Sequence, residues 1–170
     1  MEVPKHPWIV MLILAAGMRL LPHPWNFTAT MTIGLFAASK AQSTSPGVLA
    51  TLFALVLSDG VLGFYPGFWY IYAAALIPAL LGRLIHNRSG GGAIAAAALT
   101  SCLSFILITI FMVWSGGRFY PHAAAGLSDS YAAGSPFYRN QVSGAAFYTI
   151  AIFGSYAVIS HFFQFQRQAS

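Results

Sequence analysis

Residues 93–114 read AIAAAALTSCLSFILITIFMVW, an unbroken run from Ala93 to Trp114 without a charge. An α-helix rises about 1.5 Å per residue, so a run of this length crosses the roughly 30 Å hydrocarbon core of a bilayer. The rest of the chain agrees with that reading. Hydrophobic residues make up 58% of it and charged residues 6%, with a mean hydropathy of +0.70. Soluble domains carry about 25% charged residues. So few charges cannot cover the surface of a 170-residue globule, and the chain reads as an integral membrane protein.

Outward from that run, Ser143 to Phe163 (SGAAFYTIAIFGSYAVISHFF) is a second clean span, with only His161 near its end. Gly47 to Phe64 is a third, interrupted by Asp59. Phe68 to Ile85 is a fourth, in which Pro78 predicts a kink and Arg83 snorkels from the last turn. Trp8 to Leu21 and the segment from Phe27 are shorter, and either thin the membrane or bury part of their length against neighbours. The expectation is an all-α, single-domain membrane protein over residues 1–170. Its six transmembrane helices fall near 8–21, 27–41, 47–64, 68–85, 93–114 and 143–163. Open strands would leave unsatisfied edges in lipid, and a closed barrel needs alternating apolarity that is absent here.

Basic residues set the expected orientation. With the N-terminus in the cytoplasm, Lys5, Lys40, Arg83, Arg88 and Arg167 lie inside, and Arg19, Arg118 and Arg139 lie outside. Both termini are then cytoplasmic, Trp8 marks the inner interface, and Trp25, Trp69 and Trp114 mark the outer one. The inner connections, AQSTSPG and HNRSGGG, look like simple turns. The outer ones (LPHPWNFT, LGFYPGFW and the long segment from Ser115 to Gly144) hold most of the loop aromatics, His23 and His122. In the last of them, residues 123–133 predict a short helix at or in the membrane surface. Asp59 falls on this outer side. An intramembrane carboxylate usually faces a wet cavity and has a partner, so it is expected to help wall an outward-facing cavity, paired with Arg19, Arg118 or Arg139.

Several chemistries find little footing. A single cysteine, Cys102, excludes an intrachain disulfide and a cysteine zinc site, and reads as a packing residue. The scattered basic residues are no nucleic-acid signature. No cleavable signal peptide is apparent, and no Walker motif. His122, Ser128 and Asp129 have the residue types of a hydrolase triad but no nucleophile-elbow motif. No catalytic residue is assigned.

The motifs RLLPHPWNFT (19–28), LSDGVLGFYPGFWYIY (57–72) with ALIPALLGR (75–83), and FYPHAAAGL with SPFYRNQVSG (119–144) resemble a family of small bacterial membrane proteins. That family is similar to the substrate-binding S-components of energy-coupling factor vitamin transporters, above all to the solitary cobalamin type. The resemblance implies a six-helix bundle in the bacterial inner membrane, with both termini cytoplasmic. It implies too that a vitamin, cobalamin or a related corrinoid, is bound under the first, third and fifth loops. Two departures stand out. S-components that dock on a shared ATPase module tend to carry AxxxA on the first helix, whereas WIVMLILAAGMRLL has only the adjacent Ala15 and Ala16. Some cobalamin members offer a cysteine thiolate to cobalt, and the outer loops here contain no cysteine.

The residues expected to bind such a ligand are His23, Trp25, Asn26, Asp59, Tyr65, Phe68, Trp69, Tyr120, His122, Tyr131, Arg139 and Asn140. Imidazole is a good cobalt ligand, so His122 is a metal contact only through the cobalt of a bound corrinoid; loop histidines also simply bond backbone. The aromatics either stack on a flat ligand or form an interfacial belt. Arg139 and Asn140 suit an amide or carboxylate, or anchor the helix at the interface. Asn26 opens a nominal glycosylation sequon, Asn-Phe-Thr, read as chance; a loop cap or an amide contact to ligand is expected there. Two other classes stay open: a non-transporting membrane subunit whose outer loops form a protein interface, and an intramembrane enzyme.

Overall fold

The computed structural model describes residues 26–41, 43–86 and 90–169, with single positions at 17, 20 and 24. The expected helix at 8–21 lies, apart from Gly17 and Leu20, outside the described residues. Within them the protein is all helical: α1 (Thr30–Lys40), α2 (Ser45–Leu62), α3 (Phe68–Ala75), α4 (Ile77–Leu84), α5 (Gly91–Ser115), α6 (Ala124–Ala133) and α7 (Ser135–Ala169). Three of these are long and apolar enough to cross a membrane: α2, α5, and α7 over Ser135–Phe165. A shorter apolar rod, Phe68–Leu84, is made of α3 and α4.

Local chemistry explains the boundaries. Ser-Pro opens both α2 (Ser45-Pro46) and α7 (Ser135-Pro136), because a proline in the first turn lacks only an N–H that would be unpaired anyway. Pro78 breaks the α3–α4 rod as its missing N–H requires, and Leu76 N–H turns back to the Ala73 carbonyl at 3.2 Å. The short helix expected at 123–133 is α6. One boundary needs correction. Helix α7 begins at Ser135, not 143, so Phe137 to Gln141, expected in a loop, are helical.

Helix α1 sits at the centre. Every residue from Thr30 to Ser39 is buried, and α2, α4, α5 and α7 pack around it. Its 11 residues would rise about 16 Å, half a hydrocarbon core. Neighbouring helices, not lipid, surround it. Small residues permit the contact. A Cβ on Gly47 of α2 would fall 2.5 Å from the Gly34 carbonyl oxygen and 2.8 Å from Ala38 Cβ, and one on Gly82 of α4 would strike the Leu35 carbonyl. Side chains there would push the backbones apart. Ala37 is buried against Ala50, Ala54 and Tyr148. Further down, Phe36 meets Phe153 and Tyr156 edge-on at 5.1 and 5.3 Å.

The Lys40 end of α1 is closed by polar contacts. Ser39 Oγ donates to the Phe36 carbonyl at 2.8 Å, and His86 Nδ1–H donates to the Ser39 carbonyl at 2.9 Å. Lys40 Nζ lies 4.2 Å from the Tyr156 ring centroid. The outer faces of the long helices are apolar and exposed, with Phe53 and Val56 on α2, Leu103 and Leu107 on α5, and Ile150 and Val158 on α7. Such a surface is untenable in water and ordinary in lipid.

Candidate functional site

At the other end of α1 the helices splay beneath the segments 26–29, 63–67 and 116–123. Gly63 (φ 96°) and Gly67 (φ 87°) bracket a turn that returns the chain from α2 into α3 and brings Tyr65 inward. Asn26 has φ 63°, a left-handed conformation that asparagine tolerates better than most residues. It lies in a turn closed by Phe27 N–H donating to the Pro24 carbonyl at 3.0 Å.

Two adjoining cavities open here, sharing Asn26, Phe105 and Thr109 as common wall. The first, about 330 Å³, is also lined by Thr28, Thr30, Met31, Leu55, Tyr65, Ile71, Ala75 and Gln141. The second, about 250 Å³, is lined by Ile106, Ile110, Val113, Tyr120, Ser130, Ala133, Gly134, Phe137 and Tyr138. Together they form a chamber to which α1, α2, α3, α5, α6 and α7 all contribute. Its polar lining among the described residues is neutral: hydroxyls and side-chain amides, with no acid, lysine, arginine or histidine.

Two of those polar groups are poorly matched by protein. Thr30, 3% exposed, has a buried hydroxyl oxygen with no hydrogen-bond partner among the described residues. Gln141, also 3% exposed, makes one contact among the described residues, from Nε2 to Met31 Sδ at 3.9 Å, and sulfur is a weak acceptor. Thr109 and Ser130, by contrast, donate to the Phe105 and Leu127 carbonyls within their own helices. Tyr138 Oη donates to the Tyr131 carbonyl at 2.7 Å and Tyr131 Oη to the Leu107 carbonyl at 2.9 Å, tying α6 to α7 and α5.

Of the residues singled out from the sequence, Asn26, Tyr65 and Tyr120 line the chamber. His23 and Trp25 lie outside the described residues. The other seven are placed elsewhere, each for a physical reason. Asp59 is 2% exposed but sits behind the wall, where Tyr72 Oη donates to its Oδ2 at 2.8 Å and Ser58 Oγ approaches Oδ1 at 3.4 Å. Arg118 and Arg139, two of its expected partners, are exposed on the surface. Phe68 stacks edge-on between Phe64 and Tyr72, and Trp69 is 60% exposed, as interfacial aromatics are. His122 is exposed, with Nε2 3.1 Å from the Ser115 carbonyl and its ring against Trp114. It is not among the residues that line the chamber. Tyr131 is taken up by the tie to α5, and Arg139 and Asn140 offer their carbonyls to Ser143 Oγ on the outside of α7.

Ser128 Oγ donates to the Ala125 carbonyl at 2.7 Å, so neither it nor His122 is directed at the other. Among the described residues no cluster of three or more His, Cys, Asp or Glu side chains could hold a metal ion. Sequence reasoning missed Thr28, Thr30, Thr109, Ser130 and Gln141. The Ser-Pro pair at 135–136, a helix-start signal, could have found the helical placement of Gln141.

No curated protein and no solved structure matches the chain. The profile of one protein family does, from residue 4 to residue 168. The chain therefore belongs to DUF6580, a family of unknown function.

Proposed function

We propose that the protein is the membrane-embedded binding component of a bacterial vitamin uptake system, taking a small molecule into the chamber on the outer side and releasing it inward. The observation that carries this reading is the chamber itself: concave, lined by neutral polar and aromatic groups, and walled by six helical segments. Ligand sites are usually largely preformed concavities of this kind, with a few placed polar groups in an apolar lining. A protein-interface subunit would instead present a flat or convex apolar cap.

Six passages with cytoplasmic termini are supported by charge. Lys40 and Arg83 belong to the end opposite the chamber, and Arg118 and Arg139 to the chamber end. Solitary operation in the inner membrane suits a first helix without AxxxA. Cobalamin, implied by the resemblance, would require the loops over the chamber to open widely. A one- or two-ring molecule suits the volumes of about 330 and 250 Å³ as they stand.

Mass spectrometry of denatured extracts tests the proposal directly. Purified protein is expected to release one small molecule in near-stoichiometric amount, which vesicles carrying the protein accumulate. Absence of any such molecule, with a second protein co-purifying stoichiometrically, overturns transport in favour of the subunit reading.

A further inference from the structure

The chamber's two poorly matched polar groups restrict what it can hold. Thr30 opens α1 and Gln141 lies on α7, so two residues far apart in the sequence line the same cavity beside Phe105 and Tyr65. Burying a polar group without a good partner is costly, and most buried polar groups in folded proteins are paired. Gln141 has one weak sulfur contact among the described residues and Thr30 Oγ1 has none. A primary amide offers a donor and an acceptor side by side, and its best complement is another donor–acceptor pair. The described lining carries no formal charge to compensate an ionic ligand, and burying an uncompensated ion is far more expensive than burying an amide.

Resting on the binding role proposed above, we infer that the chamber selects an uncharged planar ring with a hydrogen-bond donor and acceptor on adjacent atoms, a cyclic amide or lactam edge. Gln141 and Thr30 read that edge, and Phe105 and Tyr65 provide aromatic surface for the ring. Thr149 serves as the internal contrast. Its hydroxyl is likewise buried without a partner, but it lies in an apolar groove with Ala98, Cys102 and Ala146 between α5 and α7, apart from the chamber.

Three probes of similar shape test the inference on the full-length protein in lipid nanodiscs, by titration and thermal shift: 2-quinolone, naphthalene and quinoline-2-carboxylate. The lactam is expected to bind about 10–100-fold more tightly than either of the others. Gln141→Leu and Thr30→Val should each erode that preference, with naphthalene binding retained, while Thr149→Val leaves it intact. Retained naphthalene binding shows that a variant is folded. Equal binding of lactam and naphthalene, tighter binding of the carboxylate, or binding of none of the three overturns the inference. The outcomes separate from those of the transport proposal: a lactam that binds but is never accumulated by vesicles defeats transport alone, and an accumulated anion defeats the ligand class alone.

Discussion

The two ends of α1 differ in how their polar groups are spent. At the Lys40 end, Ser39 donates to Phe36, His86 donates to Ser39, and the ammonium rests over the Tyr156 ring. At the Thr30 end, a threonine of the same helix keeps its hydroxyl without a partner among the described residues, and Gln141 beside the same cavity has only sulfur there. Both ends are buried among neighbouring helices, so burial alone does not explain the contrast. One end is a finished contact between helices. The other is a surface left incomplete inside the protein.

The largest expected effect concerns what lies behind that open end. Leaving a buried donor without its acceptor costs about 1–3 kcal/mol, so Asp59→Ala, which takes away the Tyr72 acceptor, should lower the unfolding midpoint in detergent. Asp59→Asn keeps an acceptor for Tyr72 and should lose much less. Equal losses would mean that the carboxylate charge, not the hydrogen bond, holds the wall. Next comes the closed end. His86→Ala removes one bond to the Ser39 carbonyl and should cost about 1 kcal/mol, with lactam affinity unchanged; an affinity loss would show that the two ends are coupled. The smallest effect has the opposite sign. Thr30→Val deletes a buried hydroxyl that meets no protein partner and should stabilise the unliganded protein by about 0.5–1 kcal/mol. Destabilisation there would mean that ordered water satisfies Thr30, and the contrast between the ends would shrink.

The span at Gly91–Ser115, the break before Pro78 and the helix at Ala124–Ala133 were legible because apolar length, proline and loop length act locally. Helix α1 was half legible: its shortness left it either thinning the membrane or partly buried against neighbours, and did not show that it is the hub. The chamber was less legible, for two reasons. A threonine in TMTIG and a glutamine in FYRNQ carry no local mark of burial; only the packing of distant helices decides which polar groups face inward. The conspicuous residues, meanwhile, answered to the membrane. Trp69 and Arg139 are exposed on the surface, and the Asp59 partner Tyr72 sits on another helix, invisible to spacing rules.

Because α1 is enclosed, the protein cannot be finished in the order in which it is made. In synthesis α1 comes before all its described neighbours, too short to lie across the hydrocarbon by itself, while Phe153 and Tyr156, which cover Phe36, belong to the last helix. Until α7 arrives the ribosome has delivered an interior without its lid. Assembly therefore ends rather than begins with the core, and a chain cut short before Phe153 lacks not a peripheral strut but the piece that closes the molecule around its own first described helix.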